Sequence, residues 1–184
     1  MKIIKIIIAI AVIALLFSQC KKENNYTIAK NQLGKLTSLT QVNELSDFFA
    51  KDSLVANLGE GDFANAEYDE YLVYEKGGKH MLTLIPKEQH DSTSTIESIQ
   101  IFDDRYKTIK GLNLSSTFKD IIDNYTVNKV ESTFTTAVLF VDELDVTIAI
   151  DKKELGINEF GIQKIRLDQI PDLAKIKYFT IWFD

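Results

Sequence analysis

Few side chains in this sequence have a type and spacing that could do chemistry, and each set points to a different reaction. His80 and His90 are the only histidines and the natural candidates for a general base or a metal ligand. His80 stands beside Met81 and Leu82 in an apolar run and His90 in the polar stretch from Lys87 to Thr95, and no second His or Cys lies at ligand spacing from either. They read as a histidine at the rim of a core and a solvated loop histidine. Two acidic sets follow, Asp103-Asp104 before Arg105, and Asp142, Glu143 and Asp145. A calcium loop presents about six or more oxygens from Asp-x-Asp-x-Asp-Gly spacing, which neither set has, so both read as solvated turns. A pair of carboxylates meeting in space would suit glycoside hydrolysis, yet nothing singles one out. There is no nucleotide-binding glycine loop. No catalytic residue, no metal and no cofactor is expected.

Binding residues are easier to nominate. Tyr68, Tyr71, Tyr74 and Trp182 are candidates for an aromatic platform that holds a sugar or a peptide. Along a strand Tyr68 and Tyr74 would share a face and Tyr71 would take the other. They do not form one stripe, and the competing reading is amphipathic tyrosines at sheet edges with Trp182 in a closing core.

The elements that must position these groups are short helices and longer strands. Thr40 is expected to cap a helix through about Phe49, with Val42, Leu45, Phe48 and Phe49 at helical spacing. Thr117 caps a second, with Asp120 as the capping-box acid and Phe118, Ile121, Ile122 and Tyr125 as its apolar stripe. Strands are expected at 68–75 and 79–85 around Gly77-Gly78, whose adjacent glycines suit a tight hairpin turn, and at 134–141 and 144–150 around Asp142-Glu143. Further strands are expected at 96–102, 162–167 and 176–183. A shift of 77 residues lays Gly34, Ser38 and Thr40 on Gly111, Ser115 and Thr117, and the strand around Val73 on the one around Ile150. The fold class expected is therefore α+β, an antiparallel sheet with two short helices, as a tandem duplication of a helix-plus-hairpin unit (28–104 and 105–184) in one domain spanning 28–184.

The first twenty residues carry an address. Lys2 and Lys5 lead an apolar run from Ile6 to Phe17, and Ser18-Gln19-Cys20 ends in the only cysteine. Twelve apolar residues rise only about 18 Å as a helix, short of the roughly 20 residues a membrane span needs. Residues 1–19 read as a signal peptide, Cys20 as the lipid acceptor and residues 20–27 as a short tether. One cysteine permits no internal disulfide, so the exported domain must rest on its core. Without Lys2 and Lys5 the remainder carries 19 basic against 27 acidic residues, a net charge that disfavours nucleic acid and anionic headgroups.

The Ser-Gln-Cys boundary followed by Lys21-Lys22 resembles the relaxed lipoprotein signals of the Bacteroidota. In such proteins the thiol takes a diacylglyceryl group and the new amino terminus is acylated, with chains such as palmitate. Gly111-Leu112-Asn113-Leu114-Ser115-Ser116-Thr117 and Leu33-Gly34-Lys35-Leu36-Thr37 resemble a turn-helix pattern of uncharacterised lipoproteins of that phylum. At fold level the chain is similar to the small lipoproteins of outer-membrane assembly and to tandem β-lactamase-inhibitor domains. What the resemblance implies is an envelope protein on the periplasmic side of the outer membrane, because Lys21, Lys22 and a single Glu23 replace the acidic run of surface-displayed lipoproteins. The function expected is a non-catalytic binding or structural module, its partner the membrane through the lipid and an envelope protein, peptide or glycan. The alternative is a hydrolase or substrate-binding subunit built from scattered acids and tyrosines. A deep cleft with two close carboxylates would favour the enzyme, and a shallow, apolar-centred sheet face the binding module.

Overall fold

The computed structural model describes residues 25–59, 68–157 and 161–183. The expected signal segment, Cys20 and most of the expected tether lie outside them. The chain forms β1 (Thr27–Ala29), β2 (Gln32–Leu33), β3 (Leu36–Thr37), a 3-10 turn (Val42–Glu44) running into α1 (Leu45–Phe48), and β4 (Ser53–Asn57). Then come β5 (Glu70–Tyr74), β6 (His80–Pro86), β7 (Ile96–Ile101), β8 (Lys107–Thr108) and α2 (Phe118–Asn124). The last strands are β9 (Lys129–Ser132), β10 (Thr136–Val141), β11 (Val146–Asp151) and β12 (Ile176–Trp182).

This overturns the expected α+β class. The molecule is dominated by one eight-stranded antiparallel sheet, in the order β4-β5-β6-β7-β12-β11-β10-β9, with a four-stranded sheet β3-β2-β1-β8 beside it. The two helices supply four and seven residues, too few to stand without tertiary packing. Further expectations fail locally. Residues 162–167 form no strand, and Asp142-Glu143 is half of a four-residue turn, 142–145, whose last residue takes φ 52°. The helix at 40–49 starts one residue later, with Gln41 as the residue ahead of its first turn.

The expected repeat of a helix plus a hairpin is not what the strand order shows; the two halves of the large sheet correspond over four strands each. Each half is a short capped helix followed by a four-stranded meander, and the two meanders meet through their last strands, β7 and β12. On the core face the row Leu54, Val73, Leu82, Ile101 runs on across this junction as Phe179, Ile148, Leu139, Val130. The pair Ile101–Phe179 therefore stands at the centre of the row. Equivalent residues lie 76 apart at Leu54 and Val130, 66 at Val73 and Leu139, and 78 at Ile101 and Phe179, so the single shift of 77 is corrected. Val73 corresponds to Leu139, not to Ile150. Before the meanders the match extends to single hydrogen bonds. Val42 N donates to Ser94 O at 3.0 Å and Phe118 N to Ala174 O at 2.8 Å, Asn43 N to Ser92 O and Lys119 N to Asp172 O both at 2.9 Å.

The core forms where one face of the large sheet meets the helices and the small sheet. Val42 and Leu45 on one side, and Phe118, Ile121 and Tyr125 on the other, join Ile28, Leu33, Leu36 and Leu112 in one buried cluster with the central row. Ile122 does not: it is 39% exposed. A helix turns about 100° per residue, so Phe118, Ile121 and Tyr125 share the inward face and Ile122 is carried off it. Phe48 is likewise 38% exposed.

Candidate binding site

The opposite face of the large sheet carries alternate residues of the same strands. One row runs Val55, Leu72, Thr83, Gln100, Thr180, Thr147, Phe140, Lys129. Leu72, Ile85, Val138 and Phe140 on this face lie outside the core cluster and are partly exposed. At its β10-β11-β12 end a shallow cavity of about 400 Å³ opens against Phe140, Thr147 and Trp182. Val141 and Val146 complete its apolar lining, and Asp142 and Asp145 its polar part.

Each wall has a local cause. Trp182 Nε1 donates to Thr147 Oγ1 at 3.0 Å, which orients the indole along the sheet although it is 42% exposed. Lys129 Nζ lies 5.1 Å from the centre of the Phe140 ring, a cation against the ring's negative face. Asp145 closes the β10-β11 turn, and its carbonyl accepts from Trp182 N at 2.8 Å. Lys30 Nζ is 3.0 Å from its Oδ2 and 3.1 Å from its Oδ1, hydrogen bonding through Oδ1. This pair fastens the β1-β2 turn to the end of the large sheet and commits one of the cavity's two carboxylates to a lysine.

The four aromatic candidates separate. Tyr74 shares the open face with Trp182, but β6 and β7 lie between their strands, about 14 Å at ordinary strand spacing. Tyr74 stacks on His80 at 4.9 Å, and His80 on Phe102 at 4.2 Å. Tyr71 packs against the core, and burial, helped by the Asp69 charge, raises its phenol above the usual value. Tyr68 precedes β5 and is 56% exposed. Trp182 is not in the closing core. It stands at the cavity.

The histidines have structural employment. His80 Nε2 lies 3.0 Å from Leu82 O and 3.1 Å from Thr83 Oγ1, and because a carbonyl only accepts, that nitrogen carries the hydrogen. His90 N donates to Asp69 Oδ2 at 2.6 Å, and its Nδ1 lies 3.5 Å from Oδ1. Asp69 is 1% exposed and also accepts from Gly59 N at 3.0 Å. Among the described residues no three His, Cys, Asp or Glu side chains gather as a metal site.

Asp103 is the residue most misjudged by its sequence context. It is fully buried, not a solvated turn, and Arg105 grips it through Nε at 2.9 Å and Nη2 at 2.6 Å while Lys79 Nζ stands 3.2 Å away. Arg105 Nη1 reaches Glu75 at 2.8 Å. Burial alone would raise the Asp103 carboxyl, but the hydrogen bonds from Arg105 and Lys79 prevail and hold it at about 2. Beside this cluster a second cavity, of about 300 Å³, opens among Tyr26, Phe48, Asp52, Met81 and Tyr106. Tyr26 meets Tyr106 edge-on at 5.0 Å, and burial drives the Tyr106 phenol well above its ordinary value.

Among solved structures, the chain is similar to the crystal structure of the uncharacterized protein yfeY from Escherichia coli, at 14% identity and a TM-score of 0.53. The match covers 86% of this chain and 99% of that one, and at such identity it speaks to fold alone. No family model matches the sequence. No curated protein matches it either.

Proposed function

We propose that this is a lipid-anchored envelope protein that works by binding, with its ligand seated at the Phe140–Trp182 cavity on the open sheet face. The cavity is the observation that carries the reading: an indole, a phenyl ring and a hydroxyl converge on a surface that the core does not cover. The hydrolase reading loses ground at the same place, because Asp145 is held by Lys30 while a carboxylate pair for glycoside hydrolysis must exchange protons with substrate.

The anchor is Cys20, and β1 begins seven residues later at Thr27. At about 3.5 Å per extended residue the domain is held within roughly 25 Å of the bilayer. No helix among the described residues is long and apolar enough to cross a membrane. The periplasmic face of the outer membrane is the proposed location, from Lys21 and Lys22 after the cysteine.

Two measurements test this. Metabolic labelling with a clickable fatty acid should mark the wild type and leave Cys20→Ala blank, and equal labelling would remove the anchor. Trp182 is the only tryptophan, so intrinsic emission reports this one cavity. Titration with peptidoglycan fragments, envelope glycans and short peptides should shift it saturably for a true ligand, and silence across all three classes would overturn the site.

A further inference from the structure

The two halves of the sheet make an internal comparison possible at the cavity, and the inference drawn from it rests on the binding reading above. The row Leu54, Val73, Leu82, Ile101 has as its counterpart Val130, Leu139, Ile148, Phe179. One residue beyond Val73 is Tyr74, opposite Ser53 and, across a β-bulge that skips Met81, His80. One residue beyond Leu139 is Phe140, opposite Lys129 and Thr147. One beyond Ile101 is Phe102, and one beyond Phe179 is Thr180. The first half thus places Tyr, His and Phe where the second half places Phe, Thr and Thr.

In the first half these side chains fill their own space. His80 lies between Tyr74 and Phe102, with ring planes 29° and 24° apart, so the chain supplies a planar ring that stacks on the β5 aromatic. In the second half Phe140 keeps the aromatic, but the residue opposite it is Thr147, which offers no ring to cover it. The cavity opens over Phe140 and Thr147, with Trp182 reaching in from the end of β12 to Thr147, while Thr180 stands outside its lining.

We propose that this cavity is a ring slot: it takes a planar aromatic ring with a hydrogen-bond donor at its edge, seated on Phe140 as His80 is seated on Tyr74. The stacking surface is Phe140 and Trp182, and offset stacking needs a flat ring, not merely an apolar one. The donor is required because the carboxylates of Asp142 and Asp145 at the site only accept. A cation is not required, since Lys129 already lies over the Phe140 ring and Lys30 on Asp145.

The test uses the full lipidated chain in detergent, follows Trp182 emission, and titrates three probes of one size. Benzamide has the flat ring and the donor, cyclohexanecarboxamide the donor without the flat ring, and benzoate the ring without the donor. Benzamide should saturate the signal in the millimolar range, with the other two at least tenfold weaker. Thr147→His, which sets an imidazole opposite Phe140 as His80 stands opposite Tyr74, should weaken benzamide at least tenfold while the melting temperature holds or rises. Phe140→Leu removes the stacking surface and should likewise weaken benzamide at least tenfold, so misfolding of one variant leaves a readable answer. Equal binding of all three probes, or unchanged benzamide binding in a folded variant, overturns the slot. A response to glycans with none to benzamide overturns the ring class and leaves the binding site standing. Silence to every probe overturns both. The capped tripeptide Gly-His-Gly distinguishes the carrier: tighter binding than benzamide puts the ring on a peptide, and weaker binding makes it a free small molecule.

Discussion

Asp103 and Arg105 are two residues apart in sequence and joined side chain to side chain, with Arg105 Nη2 2.6 Å from a carboxylate that has no exposed surface. Arg105 also donates its backbone N–H to Asp103 Oδ1 at 2.9 Å. The pair locks the turn after β7 against the β5-β6 hairpin, which contributes Glu75 and Lys79.

This fixes a pH dependence. The folded pKa, about 2, lies below the ordinary 3.8, so the unfolded chain takes up the proton first as pH falls. The stabilisation is complete above about pH 4 and is lost as the pH falls through about 2, and at about 1.4 kcal/mol per pKa unit it amounts to about 2 kcal/mol. Urea midpoints of wild type and Asp103→Asn between pH 5 and pH 2 check it. Other carboxylates titrate in both proteins, so the expected result is a stability gap that narrows by about 2 kcal/mol over that window. A constant gap would show that Asp103 titrates normally.

The helix α2 separates two adjacent isoleucines. Ile121 is fully buried and Ile122 is 39% exposed. Ile121→Ala should cost about 2–5 kcal/mol, and Ile122→Ala no more than about 0.5 kcal/mol. Thr117→Ala removes the hydroxyl that accepts from Asp120 N and should fall between, at about 0.5–2 kcal/mol. Urea midpoints with unchanged slopes give the order directly, and equal losses at the two isoleucines would contradict the helix phase.

Gly34 and Gly111 sit in turns at the start of the two halves, both at positive φ, 57° and 87°. Their surroundings differ. A Cβ on Gly34 would lie 2.2 Å from the carbonyl oxygen of Asn25, whereas nothing stands within 4 Å of one on Gly111. Gly111→Ala should cost only the backbone strain, about 1–2 kcal/mol. Gly34→Ala should cost clearly more, because backbone must move and the bond from Gly34 N to Thr27 O at 2.7 Å is at stake. Thermal melts of the two variants check the order.

Alternation marks β11, and apolar runs bounded by turn residues mark β5, β6, β7, β10 and β12, while the adjacent glycines at 77 and 78 announce a hairpin whose φ values, 116° and 90°, demand them. The cap at Thr117 was equally plain, since a capping box is complete within four residues: Asp120 Oδ2 accepts from Thr117 N at 2.8 Å. Edge strands such as β4 and β9 were not legible. Ser53–Asn57 and Lys129–Ser132 are short, mixed and half solvated, and their extended form comes from a neighbour's hydrogen bonds, not from their own pattern. The shift of 77 does not give the correspondence between the halves of the sheet, because the connections between strands differ in length and no single shift can align them.

The candidate site belongs to the same divide. Sequence alone nominated Trp182, an amphipathic aromatic able to serve either a core or a surface. Only the pairing of β10 with β11 and β11 with β12 brings Phe140, Thr147 and Trp182 to one cavity. What the sequence determined by itself was the set of properties that act over a few residues: alternation, caps, turns and the cysteine at the end of an apolar lead. The tertiary structure decided the face to which each alternate residue points, the burial of Asp103 and the emptiness beside Phe140. Each of these depends on which distant strand becomes a neighbour, and that choice is made by burial of the whole core.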